Sequence, residues 1–115
     1  MNQILLTGNL TKDPELRKAK KRGASQCSFT LAVERDYNDT DGNPIVDFIP
    51  ILAWRRTADL CARYLSKGRK VAVRGSLQYR TFTGKDGAEH AVAEVVADKV
   101  EFLDKPAKVE AEEQA

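Results

Sequence analysis

The chain has 115 residues, 42% of them hydrophobic and 31% charged, which is the length of one domain with a sizeable core and excludes two. Nineteen Lys and Arg against 17 Asp and Glu leave a formal net charge of only +2, a balance that by itself points to no partner. No run approaches the ~18 consecutive apolar residues of a membrane span. The start, Met1-Asn2-Gln3-Ile4-Leu5, lacks the basic and apolar regions of a secretory signal, so a cytoplasmic protein is expected.

Gln3–Leu10 reads as a first strand, and the polar stretch Lys12–Gly23, with Pro14, as a long connection. Gln26–Glu34 alternates with period two: Cys27, Phe29, Leu31 and Val33 share one face and Ser28, Thr30, Ala32 and Glu34 the other. The turn formers Asn38 to Pro44 join it to an antiparallel strand, Val46–Trp54. Pro50 inside that strand lacks a ladder donor, which predicts an edge position or a bulge. Thr57–Ser66 is predicted as a helix, capped by Thr57 and stopped at Gly68, with Ala58, Cys61 and Leu65 on its apolar stripe. Tyr64 on that helix reads as structural. Lys70–Phe82 is the fourth strand, and Gly75 within it predicts a bend or bulge. The Thr83–Ala88 turn leads to a last strand, His90–Leu103. Five strands with one helix between the third and fourth is the order of an all-β, Greek-key oligonucleotide-binding (OB) barrel.

The residue inventory disfavours catalysis and metal binding. One histidine and two cysteines form neither C-x-x-C nor H-x-x-x-H, so no structural metal is expected. Cys27 and Cys61 could form a disulfide, but both also fit apolar packing positions, reduced, in a cytosolic chain. His90 follows a polar turn and reads as a solvated side chain. Seven glycines spell no phosphate-cradling loop. No enzyme and no cofactor are expected.

Charge is unevenly placed. Residues 1–86 hold 16 Lys or Arg and nine Asp or Glu, a net of +7, whereas residues 87–115 hold three and eight, a net of −5. Between Arg55 and Lys85, nine basic residues face only Asp59 and Asp86. A second basic run is Arg17 to Arg22. Such runs are commonly solvated faces, and also the footprint of a polyanion-binding surface. Aromatics weigh toward the second reading. Phe48 and Trp54 are an even number apart and share a strand face, while Ile49, Ile51 and Ala53 point the other way into the barrel. Phe82 shares parity with Arg74 and Arg80, and Tyr37 lies at the mouth of the Asn38 turn. Ile49, Ile51, Val71, Val73, Leu77, Val92, Val95 and Val100 already supply a core. Aromatics left over from a core and interleaved with arginines suit a sequence-tolerant binder of single strands, because every base has a face that can stack.

The chain also resembles the bacterial single-stranded-DNA-binding proteins from Met1 to about Leu103. The matching stretches include Thr11-Lys12-Asp13-Pro14-Glu15-Leu16-Arg17, Phe29-Thr30-Leu31-Ala32-Val33, Asp47-Phe48-Ile49 and Trp54-Arg55. Tyr64-Leu65-Ser66-Lys67-Gly68, Val71-Ala72-Val73-Arg74-Gly75-Ser76-Leu77 and Glu94-Val95-Val96-Ala97-Asp98 continue the match. The resemblance implies an OB fold, usually a homotetramer, that binds and protects single-stranded DNA in replication, recombination or repair without enzymatic activity. It places the base-stacking aromatics on Tyr37, Phe48, Trp54 and Phe82, and backbone contacts on Arg56, Lys67 and Arg80, with Arg35, Arg55 and Arg74 as additions. A domain over residues 1–104 is therefore expected, and Glu110, Glu112 and Glu113 make residues 105–115 a short, mildly acidic tail. That tail lacks the apolar tip through which members of the family recruit other proteins, so such recruitment is not expected here. A protein-interaction module on the same fold would bind bare oligo(dT) weakly. An oligosaccharide binder would set its aromatics among carboxylates.

Overall fold

In a computed structural model describing residues 1–18 and 23–104, two long hairpins make up most of the molecule. The first joins β3 (Ser25–Asn38) to β4 (Pro44–Trp54), and the second joins β5 (Lys70–Thr83) to β6 (Glu89–Phe102). The two hairpins meet in a parallel pairing of Ile51–Ala53 of β4 with Val95–Ala97 of β6. On the other side β1 (Ile4–Leu10) runs antiparallel to β5 and bonds to β3 at Asn9 and Leu10. The circuit β1-β5-β6-β4-β3 returns to β1 and closes a five-stranded barrel. This is the OB architecture expected from the element order.

The polar stretch read as a connection contains a sixth strand, β2 (Glu15–Lys18), paired from Glu15↔Ser28 to Lys18↔Ser25 on the edge of β3. All four of its residues are exposed, so no apolar alternation marked it. Its presence moves the helix to between the fourth and fifth strands in chain order. Residues 19–22 of the basic run and the 105–115 tail lie outside the described residues.

The helix, α1 (Arg55–Tyr64), starts and ends two residues earlier than its pattern predicted. Trp54, still extended, stands at its N-cap without a side-chain cap bond, so Thr57 is inside the helix and does not cap it. Arg55 makes the turn from strand to helix with φ of 55°, a left-handed conformation that costs a non-glycine residue about 1–2 kcal/mol. Gly68, with φ of 90°, closes the following turn, where its N–H donates to Leu10 O at 2.8 Å. The helix buries Ala58 and Cys61 completely against the barrel, together with Cys27, Leu31 and Val71. Tyr64 packs its ring on Phe102, 6.0 Å between centroids, in keeping with a structural role, although it remains partly exposed.

Ile51, Val71, Val73 and Val95 are core residues as expected, with Ile49 and Val100 packed against them. Leu77 and Val92 are not part of the core: Leu77 keeps 37% of its surface, because the hairpin extends past the barrel from there and leaves the inner face uncovered. Pro50 faces Thr30 across the β3–β4 pair. The Thr30 carbonyl accepts from Thr11 N–H at 3.0 Å, away from β4. Thr30 and Pro50 therefore form a non-hydrogen-bonded pair in which a proline costs no ladder bond. Gly75 sits at the predicted irregularity. Arg74 pairs with Lys99 and Gly75 with Ala97, so Asp98 is the extra, unpaired residue of a bulge on β6. A Cβ on Gly75 would run into the Val96 carbonyl.

Two predictions follow from this packing. Gly75→Ala should cost about 1–3 kcal/mol, the range for overpacking a filled interior, read as a lower denaturant midpoint; a neutral result would mean that β5 and β6 are not this close. Burial pushes the thiols of Cys27 and Cys61 up to about 11 and about 12. Both are free and fully buried. Neither should react with a thiol reagent at pH 8 until the protein unfolds. Rapid labelling of the native protein would contradict the core assignment.

Candidate nucleic-acid interface

Strand alternation puts Leu52 and Trp54 of β4 on the outer face of the barrel, and the ladders fix their neighbours. Trp54 lies opposite Gln26, which lies opposite Arg17 of β2. Leu52 lies opposite Ser28 on one side and Val96 on the other, while Glu94 lies opposite Gln78. These side chains, with Arg80, line a groove of about 400 Å³. Trp54 retains 39% of its surface there. A partly exposed indole thus lies between two guanidinium-bearing strands, and the groove walls between them carry hydroxyl and amide groups.

The other predicted aromatics are exposed too, but elsewhere on the face. Phe48, on the same side of β4 as Trp54, is 66% exposed and lines an adjoining apolar hollow with Ile4, Leu6 and Pro50. Tyr37 lies far along the first hairpin, within the irregular Glu34–Asn38 stretch of the β3–β4 register. Its loop is pinned by Asp39 Oδ1, which accepts from the N–H groups of Asp41 and Asn43 at 2.9 Å each. Phe82 lies near the tip of the second hairpin, stacked on His90 across the strands at 5.4 Å between centroids and 26°. His90 is therefore not merely solvated. Its Nε2 lies 3.3 Å from Asp86 Oδ1, and the Ala88 N–H followed by this histidine holds the Asp86 carboxyl below its ordinary range.

The basic candidates divide into two sets. Arg35 Nε and Nη2 donate to the two oxygens of Asp47 at 2.9 and 3.1 Å, and Nη1 donates to Tyr37 Oη at 3.0 Å. Arg74 pairs with Asp98 at 2.8 Å and Arg80 with Glu94 at 3.2 Å. Among the described residues Arg55, Arg56 and Lys67 form no ion pair. Arg56 lines a hollow beside α1 with Leu60 and Phe102, and Arg74 one beside β1 with Leu5 and Lys99. Only Trp54 and Arg80 of the ten predicted site residues share the main groove. Arg17, a loop residue of the second basic run by the sequence and a further candidate for backbone contact, stands on β2, whereas Gln26, Ser28, Gln78 and Glu94 are not among the predicted site residues. Parity with Trp54 and Arg80 was the available signal, but it needed the inter-strand register to become a groove.

Among the described residues no helix is long and apolar enough to cross a membrane, and no three His, Cys, Asp or Glu side chains cluster as a metal would require. A closed OB barrel whose outer face carries exposed aromatics among arginines defines a nucleic-acid-binding class of domain. Comparison with known proteins narrows this further. The model of the single-strand binding protein family matches residues 1–103. Single-stranded DNA-binding protein 1 of Clostridium acetobutylicum is 43% identical over 104 residues, covering 90% of this chain and 94% of that one. The single-stranded DNA-binding protein of Caldanaerobacter subterraneus is 48% identical over 104 residues, 90% of this chain and 69% of that one. The chain belongs to the single-strand binding protein family.

The Arg35–Asp47 pair yields a pH prediction. Hydrogen bonding from Arg35 stabilises the ionised carboxylate and lowers the Asp47 pKa. The pair is therefore complete above the ordinary carboxylate range and is lost only as pH falls through the lowered folded value. A carboxyl-carbon NMR titration should place the Asp47 midpoint below the ordinary aspartate value of about 3.9. A midpoint at or above that value would mean that the pair does not form in solution.

Proposed function

We propose that the protein binds single-stranded DNA without regard to sequence and protects it during replication, recombination or repair, by stacking bases on exposed aromatics and pairing phosphates with Arg and Lys. The observation that carries this reading is the partly exposed Trp54 in a groove flanked by Arg17 and Arg80. Stacking is indifferent to base identity, and guanidinium groups hold the backbone. Family membership and the names of the relatives support the same ligand. Phe48, Phe82 and Tyr37 extend the stacking surface along the two hairpins, and Arg55, Arg56 and Lys67 offer charge for phosphates. The fold supplies binding energy and needs no chemical step. Residues 1–104 form the binding domain in this proposal, and residues 105–115 an acidic extension.

The protein acts as a homo-oligomer in this proposal, a tetramer in the form the family resemblance implies. Ile4–Thr7 of β1 pair with β5 on one edge and have no strand partner on the other among the described residues. Leu5 there keeps 73% of its surface. An open strand edge beside an exposed leucine invites a second copy.

Titration with oligo(dT) should quench the Trp54 fluorescence. Trp54→Ala should cost about 1–3 kcal/mol of binding, one base–aromatic stack, and less folding stability than the ~3–5 kcal/mol of a buried ring. Lost stability with unchanged affinity per folded molecule would place Trp54 in the core and remove the stacking model. Log K against log salt should fall with a slope of about −0.7 per phosphate contacted; a slope near zero would show the arginines to be a solvated face. Sedimentation of a monomer at micromolar concentration would refute the oligomer.

A further inference from the structure

Three hollows adjoin on the outer face and around the open end of the barrel, and Glu94 lines all of them. One holds Trp54 and Arg17, the second Phe48 and Leu6, and the third Lys12 and Thr30. Arg80 and Ser28 are common to the first and third. A strand passing from Trp54 toward Phe48 therefore runs over the Arg80–Glu94 pair. Within that pair the burial is lopsided: the Arg80 side chain is 60% exposed, whereas that of Glu94 is only 11% exposed. A carboxylate is thus set into the floor of a groove that also carries Arg17 and Arg80, and Arg80, its ion-pair partner, is largely exposed to solvent.

We propose that Glu94 is a built-in competitor of the DNA phosphate for Arg80, and so sets how tightly the groove holds single-stranded DNA. The inference rests on the single-stranded-DNA reading above. In the free protein Arg80 Nε and Glu94 Oε1 form an ion pair at 3.2 Å. Because the guanidinium is exposed, it can turn to a phosphate without leaving its strand. That exchange leaves the largely buried Glu94 without its ion-pair partner beside an incoming anion, a penalty charged against every bound strand. A carboxylate in this place lowers affinity and speeds release, which suits a protein that must cover DNA and also yield it.

The test compares oligo(dT) affinity and its salt dependence in the parent chain and four variants. Glu94→Gln keeps the shape and removes the charge. It should raise affinity about three- to tenfold at fixed moderate salt, the scale of a partly shielded ion pair, and steepen the salt slope by roughly one phosphate, about 0.7. Glu94→Asp keeps the charge but withdraws it from Arg80, and should also raise affinity. Arg80→Ala should weaken binding, and in that background Glu94→Gln should gain less than about twofold, since coupled residues are not additive. A full gain in the Arg80→Ala background, or none with Glu94→Asp, would mean that Glu94 repels DNA directly and would overturn the competition. A loss of affinity in Glu94→Gln at unchanged denaturant midpoint would make Glu94 a positioning residue for Arg80, with the same consequence. If the parent binds oligo(dT) and no Glu94 variant differs from it, this inference alone fails; if the parent does not bind, the functional reading fails first.

Discussion

Everything on the functional face depends on the closure of the barrel through one short contact, the parallel pairing of Ile51–Ala53 with Val95–Ala97. Each hairpin by itself is a two-stranded ribbon, marginal in water. Joined there, and bridged on the far side by β1, the strands acquire an inside. Alternation then sends Ile51, Ala53 and Val95 inward and Leu52, Trp54, Glu94 and Val96 outward. A slip of one residue in this pairing would exchange the groove for the core. Gly75 secures the closure, because only a residue without a side chain lets β5 pass so close to Val96.

Closure also decides what the basic residues are free to do. Along the chain, a basic stretch over residues 1–86 precedes an acidic end. Folding lays β6 against β5, and the acidic end then answers the basic region residue by residue. Arg74 meets Asp98, Arg80 meets Glu94, and Arg69 donates to Asp104 at 2.7 Å. The Asp104 carboxyl, hydrogen-bonded by Arg69, is held below its usual range, and its second oxygen accepts from Lys70 N–H. This last pair fastens the end of β6 to the turn after the helix. Part of the apparent polyanion surface is therefore internal counter-charge, and among the residues outside those pairs Arg55 and Arg56 stand where β4 turns into α1. That turn uses a strained Arg55 and makes Trp54 the last residue of the strand, at the rim of the groove. Such backbone strain is often kept where a side chain must be aimed.

Asn2 shows the same economy at the start of the chain. Its side-chain amide donates to Leu77 O at 2.8 Å and its carbonyl accepts from Leu77 N–H at 2.9 Å. One side chain imitates a further rung of the β1–β5 ladder. It ties the open end of β1 to the base of the second hairpin, beside the hollow that holds Phe48.

From the sequence alone came the five barrel strands, the single helix, the inward faces of Cys27, Phe29, Leu31, Ile51 and Ala53, the outward aromatics, and the irregularity at Gly75. These are legible because period-two burial and backbone exceptions are written locally, one residue type at a time. The strand β2 was not, since its residues are all exposed and only the vacant edge of β3 makes them a strand. The helix start was not, because Arg55 adopts a conformation that no local preference favours. Leu77 misled for a related reason: its pattern is that of a core residue, and only the overhang of the hairpin exposes it. The groove itself belongs to the tertiary structure. Arg17, Trp54, Arg80 and Glu94 come from four strands scattered over most of the chain, and their meeting is set by inter-strand register, a non-local pairing that no window of sequence contains.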